Sequence, residues 1–228
     1  MNKIRAICFD LDDTLWDMRP VIPRAEQLLY EWFAANYPRV VAAYTPDDMR
    51  ALRFAANEQW PELRHNLTEL RIRMLRQIAA ITGYDESMVT GAFEVFIQAR
   101  HDVTVYADVV PVLTTLASTY QLFALSNGNA DLKKIGISEY FSGIFSASEM
   151  GVAKPDGKFF TAAAAHCDFS LDQMLHVGDH PENDIVAAQK MGMSAVWVNR
   201  ANVRWPKTDC LPDYEVTDLH GLVCLMQS

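Results

Sequence analysis

Apolar runs recur near residues 4–9, 121–125, 143–146, 174–177 and 194–198, mostly separated by stretches with helical periodicity. Parallel strands can be joined only by a crossover, and the usual crossover is a helix, so this alternation predicts a parallel α/β sheet of the Rossmann-like kind. The run Ala6-Ile7-Cys8-Phe9 is apolar throughout and bounded by charge, which fits a strand covered on both faces. In open sheets of this class, ligands bind outside the carboxyl ends of the strands. Asp10, Ser126 and Asp179 fall at such ends.

The pattern changes between about residues 21 and 100. Ala25, Leu28, Leu29, Trp32 and Phe33 follow the i, i+3, i+4, i+7, i+8 spacing of an amphipathic helix, as do Val89, Ala92, Phe93, Phe96 and Ile97. Leu67, Leu70, Met74, Ile78 and Ile81 make a third such face. The expected organisation is therefore a sheet core of residues 1–17 and 102–228, with an all-helical insert over 18–101. With 228 residues, half of them hydrophobic, the chain is long enough for both. It carries no internal repeat and no low-complexity segment.

The chemistry lies in Asp10-Leu11-Asp12-Asp13-Thr14. Residues two apart on a strand point to the same side, and a turn just after would swing one carboxylate inward, so either geometry brings Asp10 and Asp12 together. Adjacent carboxylates repel, and a hard cation such as magnesium relieves the repulsion while also binding phosphate. An isolated D-x-D after a strand is more often an acidic surface loop. Here Ser126-Asn127-Gly128, Lys154-Pro155-Asp156 and Gly178-Asp179 with Asp184 follow in order, and the four stretches read as one phosphate-handling site. The plain alternatives are a solvated surface lysine for Lys154 and a helix N-cap for Ser126. Asp184 falls in the first turn of a helix expected to open at Pro181 and stop at Gly192, where an acid also complements the helix dipole.

In these four stretches the chain resembles the haloacid dehalogenase-like hydrolase superfamily, whose first motif, D-x-D-x-T, is matched by Asp10, Asp12 and Thr14. Ser126, Lys154 and Gly178-Asp179 with Asp184 match the other three motifs, so the resemblance covers roughly residues 3–20 and 102–200. It implies that Asp10 attacks phosphorus and that Asp12 protonates the leaving group, then activates water. It also implies that Ser126, with backbone N–H groups near Asn127 and Gly128, holds the phosphoryl oxygens, that Lys154 neutralises charge, and that Thr14 orients the loop. The implied Mg2+ ligands are an Asp10 carboxylate oxygen, the Asp12 carbonyl and Asp179, with Asp184 outside the direct set.

The helical insert resembles the family's first class of cap, where substrate choice is expected to lie. Arg19, Arg53, Arg64, Arg71 and Arg73, with Trp60, His65 and Asn66, are candidate anion, stacking and hydrogen-bond contacts, of which Trp60, His65, Asn66 and Arg71 are the expected specificity residues. A narrower similarity, to bacterial phosphatases acting on flavin mononucleotide and on the ribityl-pyrimidine phosphate of riboflavin synthesis, rests on Arg19-Pro20-Val21-Ile22, Asn127-Gly128-Asn129-Ala130, Leu175-His176-Val177-Gly178-Asp179 and Pro61-Glu62-Leu63-Arg64-His65-Asn66. His180 stands where many relatives place an acid.

The net charge of −9 argues against a nucleic-acid or anionic-membrane binder. Four cysteines without CxxC spacing, no legible signal peptide and no run of membrane-spanning length make a reducing cytoplasm the expected setting. The expected activity is a magnesium-dependent phosphomonoesterase acting on a small phosphate ester through an aspartyl-phosphate. Rivals on the same fold are a phosphomutase, a haloacid dehalogenase, for which Asp12 would be superfluous, and a phosphonatase, for which residues 21–100 lack the needed lysine. A catalytically silent binding protein is the rival from another class. Nothing in the pattern sets monomer against homodimer.

Overall fold

The computed structural model describes residues 3–207 and 210–227. The chain divides into two compact units: one of Met1–Asp17, Thr104–Gly128 and Leu132–Ser228, the other of Met18–Val103 with Asn129–Asp131.

The first unit is built on a six-stranded sheet. Its strands are β1 (Ala6–Phe9), β2 (Gln121–Ser126), β3 (Gly143–Ser146), β4 (Met174–Gly178), β5 (Ser194–Val198) and β6 (Tyr214–Val216), in the order β3-β2-β1-β4-β5-β6. Every neighbouring pair is parallel. Phe9, the last residue of β1, lies opposite Ala124 on one side and Val177 on the other, and β2 and β4 run on past that level to Ser126 and Gly178. The strand order reverses between β1 and β4, and at that point the segments leaving the two strands diverge and open a crevice. Asp10 and Asp179 are the residues that follow those two strands.

β1 is apolar because both its faces are covered; all four of its residues are buried. Cys8, Phe123, Phe159, Phe160, Met174, Ile185 and Trp197 belong to one buried cluster of this unit. β6 escaped the apolar-run reading because it is a three-residue edge strand with two exposed residues, so burial left no mark on its sequence.

The second unit is helical: α1 (Val21–Asn36), α2 (Pro38–Ala43), α3 (Pro46–Gln59), α4 (Leu67–Thr82) and α5 (Glu86–His101). Its ends follow local chemistry. Thr45 and Asp48 form a reciprocal capping box ahead of α3, Asn66 caps α4, Asp85 caps α5, and Gly83, at φ +71°, closes α4 in the left-handed region. Ala25, Leu29, Phe33, Met74, Ile78, Val89, Ala92 and Phe96 share its core. Leu28, Leu67 and Ile81, expected on the buried faces, are 42%, 41% and 70% exposed. The apolar stripes are thus narrower than the spacing implied, since a position at a helix end or a stripe's edge meets fewer neighbours. In the sheet unit the longer helices are α6 (Val109–Ala117), α7 (Gly157–Cys167) and α8 (Leu219–Met226). No helix among the described residues is long and apolar enough to cross a membrane.

Candidate active site

The loop after β1 starts as a continuation of the ladder, with Asp10 N–H donating to the Val177 carbonyl at 2.8 Å. It then turns through Asp13, whose φ of +63° is a left-handed conformation that aspartate tolerates better than most residues with a Cβ. In this turn Asp12 Oδ1 accepts the indole N–H of the buried Trp16 at 2.9 Å, and Asp12 lines the same cavity as Asp10. Arg200 braces the same loop, donating from Nε to the Thr14 carbonyl at 3.1 Å while its guanidinium pairs with Asp108.

Lys154 is buried, which overturns the surface-lysine alternative. Its Nζ lies 2.6 Å from Asp10 Oδ1 and 2.6 Å from Asp184 Oδ1, bridging two carboxylates inside the protein. Asp184 Oδ1 also lies 3.0 Å from His176 Nε2, and its Oδ2 accepts the His180 backbone N–H at 3.0 Å. The Thr14 hydroxyl stands 3.2 Å from both Asp10 Oδ2 and Asp179 Oδ1, able to donate to one at a time.

Backbone geometry makes this closeness possible. Asp184 sits in a widened helical turn, Pro181–Val186, where Ile185 N–H reaches the His180 carbonyl five residues back. A Cβ on Gly178 would lie 2.4 Å from Asp184 Cγ, so only glycine lets that side chain pack against the end of β4. Gly178→Ala should therefore displace Asp184 and loosen Lys154, lowering turnover by about tenfold or more at a cost of about 1–3 kcal/mol in stability. A variant with wild-type kcat and melting temperature would contradict this.

Ser126 ends β2, buried, and no helix begins there, so the N-cap alternative does not hold. Its Oγ accepts the Gly128 N–H at 2.9 Å, leaving the hydroxyl proton to be donated elsewhere. The Gly128 N–H, expected to face phosphate, is taken by that hydroxyl in a local side-chain turn. The Asn127 side chain exchanges two 2.8 Å hydrogen bonds with the Lys154 backbone, donating to its carbonyl and accepting its N–H, and so aligns the lysine. The peptide bond Lys154–Pro155 is cis.

Burial, the proximity of Asp184 and Asp179, and too little relief from Lys154 hold Asp10 well above the usual carboxylate range. Burial and the negative charges of Asp184 and Asp13 push Asp179 up to about 7. Asp184 goes the other way. Burial would raise it, but the Lys154 ammonium and the His176 hydrogen bond outweigh burial and keep it ionised. For Lys154 the desolvation penalty is overcome by Asp10 and Asp184, so it stays charged.

Oxygens of Asp10, Asp179 and Asp184 lie within 4.8 Å of one another. The set is all carboxylate, burial raises the pKa of Asp10 and Asp179 so that a bound cation would compete with protons there, and such hard donors fit a divalent ion that prefers oxygen. Asp184 already accepts three hydrogen bonds and has one acceptor position left, on Oδ2. Asp10, Asp12, Ser126, Asn127, Gly128, Lys154, Asp179 and Asp184 line one cavity of about 160 Å³, with Asp13, His180 and Asn183. His180 also caps the turn that carries Asp184, its Nδ1 accepting the N–H groups of Glu182 and Asn183.

Four sequence-predicted residues belong to the helical unit. Asn66 is the N-cap of α4, its Oδ1 accepting the Glu69 N–H, and Trp60 packs half-buried against the helical core. His65 is half-buried. Arg71 lies half-buried over the Phe96 ring, 3.4 Å from its centroid, with Glu26 4.0 Å away, and desolvation lowers its pKa to about 10. Arg71 lines a cavity within this unit, about 200 Å³ in volume, with Glu26, Tyr30 and Met74. The sequence reading gave no role to Trp16, His176 or Arg200. A histidine inside an apolar strand was the one available signal.

The model of the haloacid dehalogenase-like hydrolases matches residues 4–192. A 5-amino-6-(5-phospho-D-ribitylamino)uracil phosphatase of Escherichia coli is 32% identical over 99% of this chain and 98% of its own. A glyceraldehyde 3-phosphate phosphatase of Methanopyrus kandleri is 28% identical, covering 93% of each chain. The crystal structure of a 2-haloacid dehalogenase from Pseudomonas syringae pv. Tomato superposes with a TM-score of 0.92 at 35% identity, covering 98% of both chains. A match that spans from the first strand past the turn bearing Asp184, joined to a relative of this identity along its length, makes the chain a member of the haloacid dehalogenase-like hydrolase family.

Proposed function

We propose that this protein is a magnesium-dependent phosphomonoesterase that works through an aspartyl-phosphate on Asp10. The observation that carries the reading is the Lys154 ammonium, held 2.6 Å from Asp10 Oδ1 in a cavity that also presents Asp12, Ser126 and Asp179. In the first step an Asp10 oxygen bonds to phosphorus, the ester P–O bond breaks, and the departing alkoxide takes a proton from Asp12. In the second, Asp12 removes a proton from water, the water oxygen bonds to phosphorus, and the Asp10–phosphorus bond breaks to release inorganic phosphate. Lys154 and the Ser126 hydroxyl meet the negative charge of the transferring group. Asp10 and Asp179, with the Asp12 carbonyl, would hold Mg2+, which supplies charge neutralisation at the phosphoryl oxygens.

Magnesium binding should depend on pH in a defined direction. With its pKa raised to about 7, Asp179 contributes stability to the cation-free protein that is present below the unfolded carboxylate value and lost as pH rises through 7. The cation must displace that proton, so apparent affinity should be roughly a hundredfold weaker at pH 5 than at pH 8. Magnesium-induced thermal shifts measured across this range check it; equal shifts at both ends would contradict it.

The substrate class we favour is a primary phosphate on a flexible chain joined to a planar ring, as in flavin mononucleotide or the ribitylamino-pyrimidine phosphate. The named activity of the Escherichia coli relative supports it. Arg71, Trp60, His65 and Asn66 remain the proposed specificity residues. A second reading, dehalogenation, is favoured by the 35% identity to the Pseudomonas syringae structure, while Asp12 favours the phosphatase, because halide leaves without a proton. The deciding experiment compares phosphate release from flavin mononucleotide, glycerol phosphate and sugar phosphates with chloride release from 2-chloropropionate. Chloride release without phosphate release overturns the phosphatase reading. A tenfold preference for sugar phosphates, about 1.4 kcal/mol in transition-state stabilisation, overturns the substrate class alone.

A further inference from the structure

We propose that His176 is a positioning residue for the hydrolytic step, setting the Lys154 ammonium against Asp10 by locking the carboxylate of Asp184. The inference rests on the role given to Lys154 above. His176 lies on β4, fully buried and absent from the lining of the active-site cavity, so it does not meet substrate. Its Nε2 is 3.0 Å from the same Asp184 Oδ1 that accepts the Lys154 ammonium at 2.6 Å. An ionised carboxylate has no proton to give, so Nε2 carries the hydrogen and the ring is the donor.

Two donors therefore converge on Oδ1 while the His180 N–H holds Oδ2. The terminal torsion of an aspartate is broad, and a carboxylate fixed at both oxygens cannot turn to draw the ammonium away from Asp10. The ring itself is fixed, standing edge-on to Phe160 at 5.2 Å and 87°, with Cys8 and Ala195 opposite it on the neighbouring strands.

The surroundings offer no other reason for a histidine. Met174, Leu175 and Val177 on the same strand are apolar and buried. The His176 Nδ1 has no hydrogen-bond partner among the described residues. A buried nitrogen without a partner is a cost that a leucine would not carry. The bond to Asp184 is the compensation, and its far end is the catalytic lysine.

The test compares His176→Leu, which keeps volume but removes the donor, with His176→Gln, which keeps a donor at similar reach. The expected result is that Leu lowers kcat by about tenfold or more with little loss of melting temperature, and that Gln recovers kcat to within about threefold of wild type. Equal kcat for Leu and Gln, or a Leu variant within about twofold of wild type, overturns the proposal. Should the Leu variant fail to fold, nitrogen NMR of wild-type protein labelled at histidine decides instead. A neutral ring protonated at Nε2, altered by Asp184→Asn, supports the role; an Nδ1–H tautomer or an insensitive signal overturns it. This readout needs no turnover, so it stays informative even if wild-type protein releases no phosphate and the phosphatase reading fails.

Discussion

Asp10→Asn should cut turnover by several powers of ten, the largest effect of any single substitution in this protein. An amide is too weak a nucleophile to attack phosphorus, and it removes a negative charge facing the proposed cation. The fold should survive. Burial and the neighbouring carboxylates already hold Asp10 well above the ordinary range, so in the cation-free protein a neutral group of the same shape relieves repulsion while giving up part of the attraction to Lys154. These effects oppose each other, and the melting temperature should move little. Single-turnover phosphate release together with a thermal melt checks both halves. Residual activity within about tenfold of wild type would remove Asp10 from the nucleophile's role.

Lys154→Met should damage both activity and stability. Methionine fills much the same volume but leaves Asp10 and Asp184 facing each other without the ammonium that bridges them at 2.6 Å on each side. Removing one partner of a buried charge pair typically costs about 3–5 kcal/mol, because the remaining charge stays desolvated. Turnover should fall by roughly a thousandfold or more, since the charge of the transferring group loses its fixed counter-ion.

The stability loss should shrink in acid. Without the lysine, the folded-state pKa values of both carboxylates rise, so stability is retained below the unfolded carboxylate value and lost as pH climbs through the raised values. Adding Asp184→Asn to Lys154→Met should recover part of the stability at pH 7 and none of the activity. Urea melts of the two variants at pH 5 and pH 8 provide the measurement. A Lys154→Met protein as stable as wild type at pH 8 would mean that the ion cluster is not a structural element.

Much of the site was legible because its residues sit where the chain itself is constrained. A strand buried on both faces must be apolar, and Ala6–Phe9 is; the first residues beyond it are therefore at the ligand-binding edge whatever the partners are. The same logic located Ser126 at the end of β2 and Asp179 just after β4. Helical spacing marked α1, α4 and α5, and Thr45, Asn66, Asp85 and Gly83 mark ends fixed by backbone groups a few residues away. The edge strand β6 was silent because an exposed three-residue strand imposes no pattern.

What the tertiary structure decided is how groups distant in sequence meet. Lys154 reaches Asp10 across 144 residues, and nothing local separates a buried bridging lysine from a solvated one. That Asp12 turns toward Trp16, that Asn127 serves the Lys154 backbone, and that Gly178 makes room for Asp184 all follow from side chains packed in three dimensions. His176 shows the division most sharply. Sequence places it in a buried strand, while the carboxylate that gives its ring a function lies eight residues on and comes within 3.0 Å only because a widened helical turn folds back against the end of that strand.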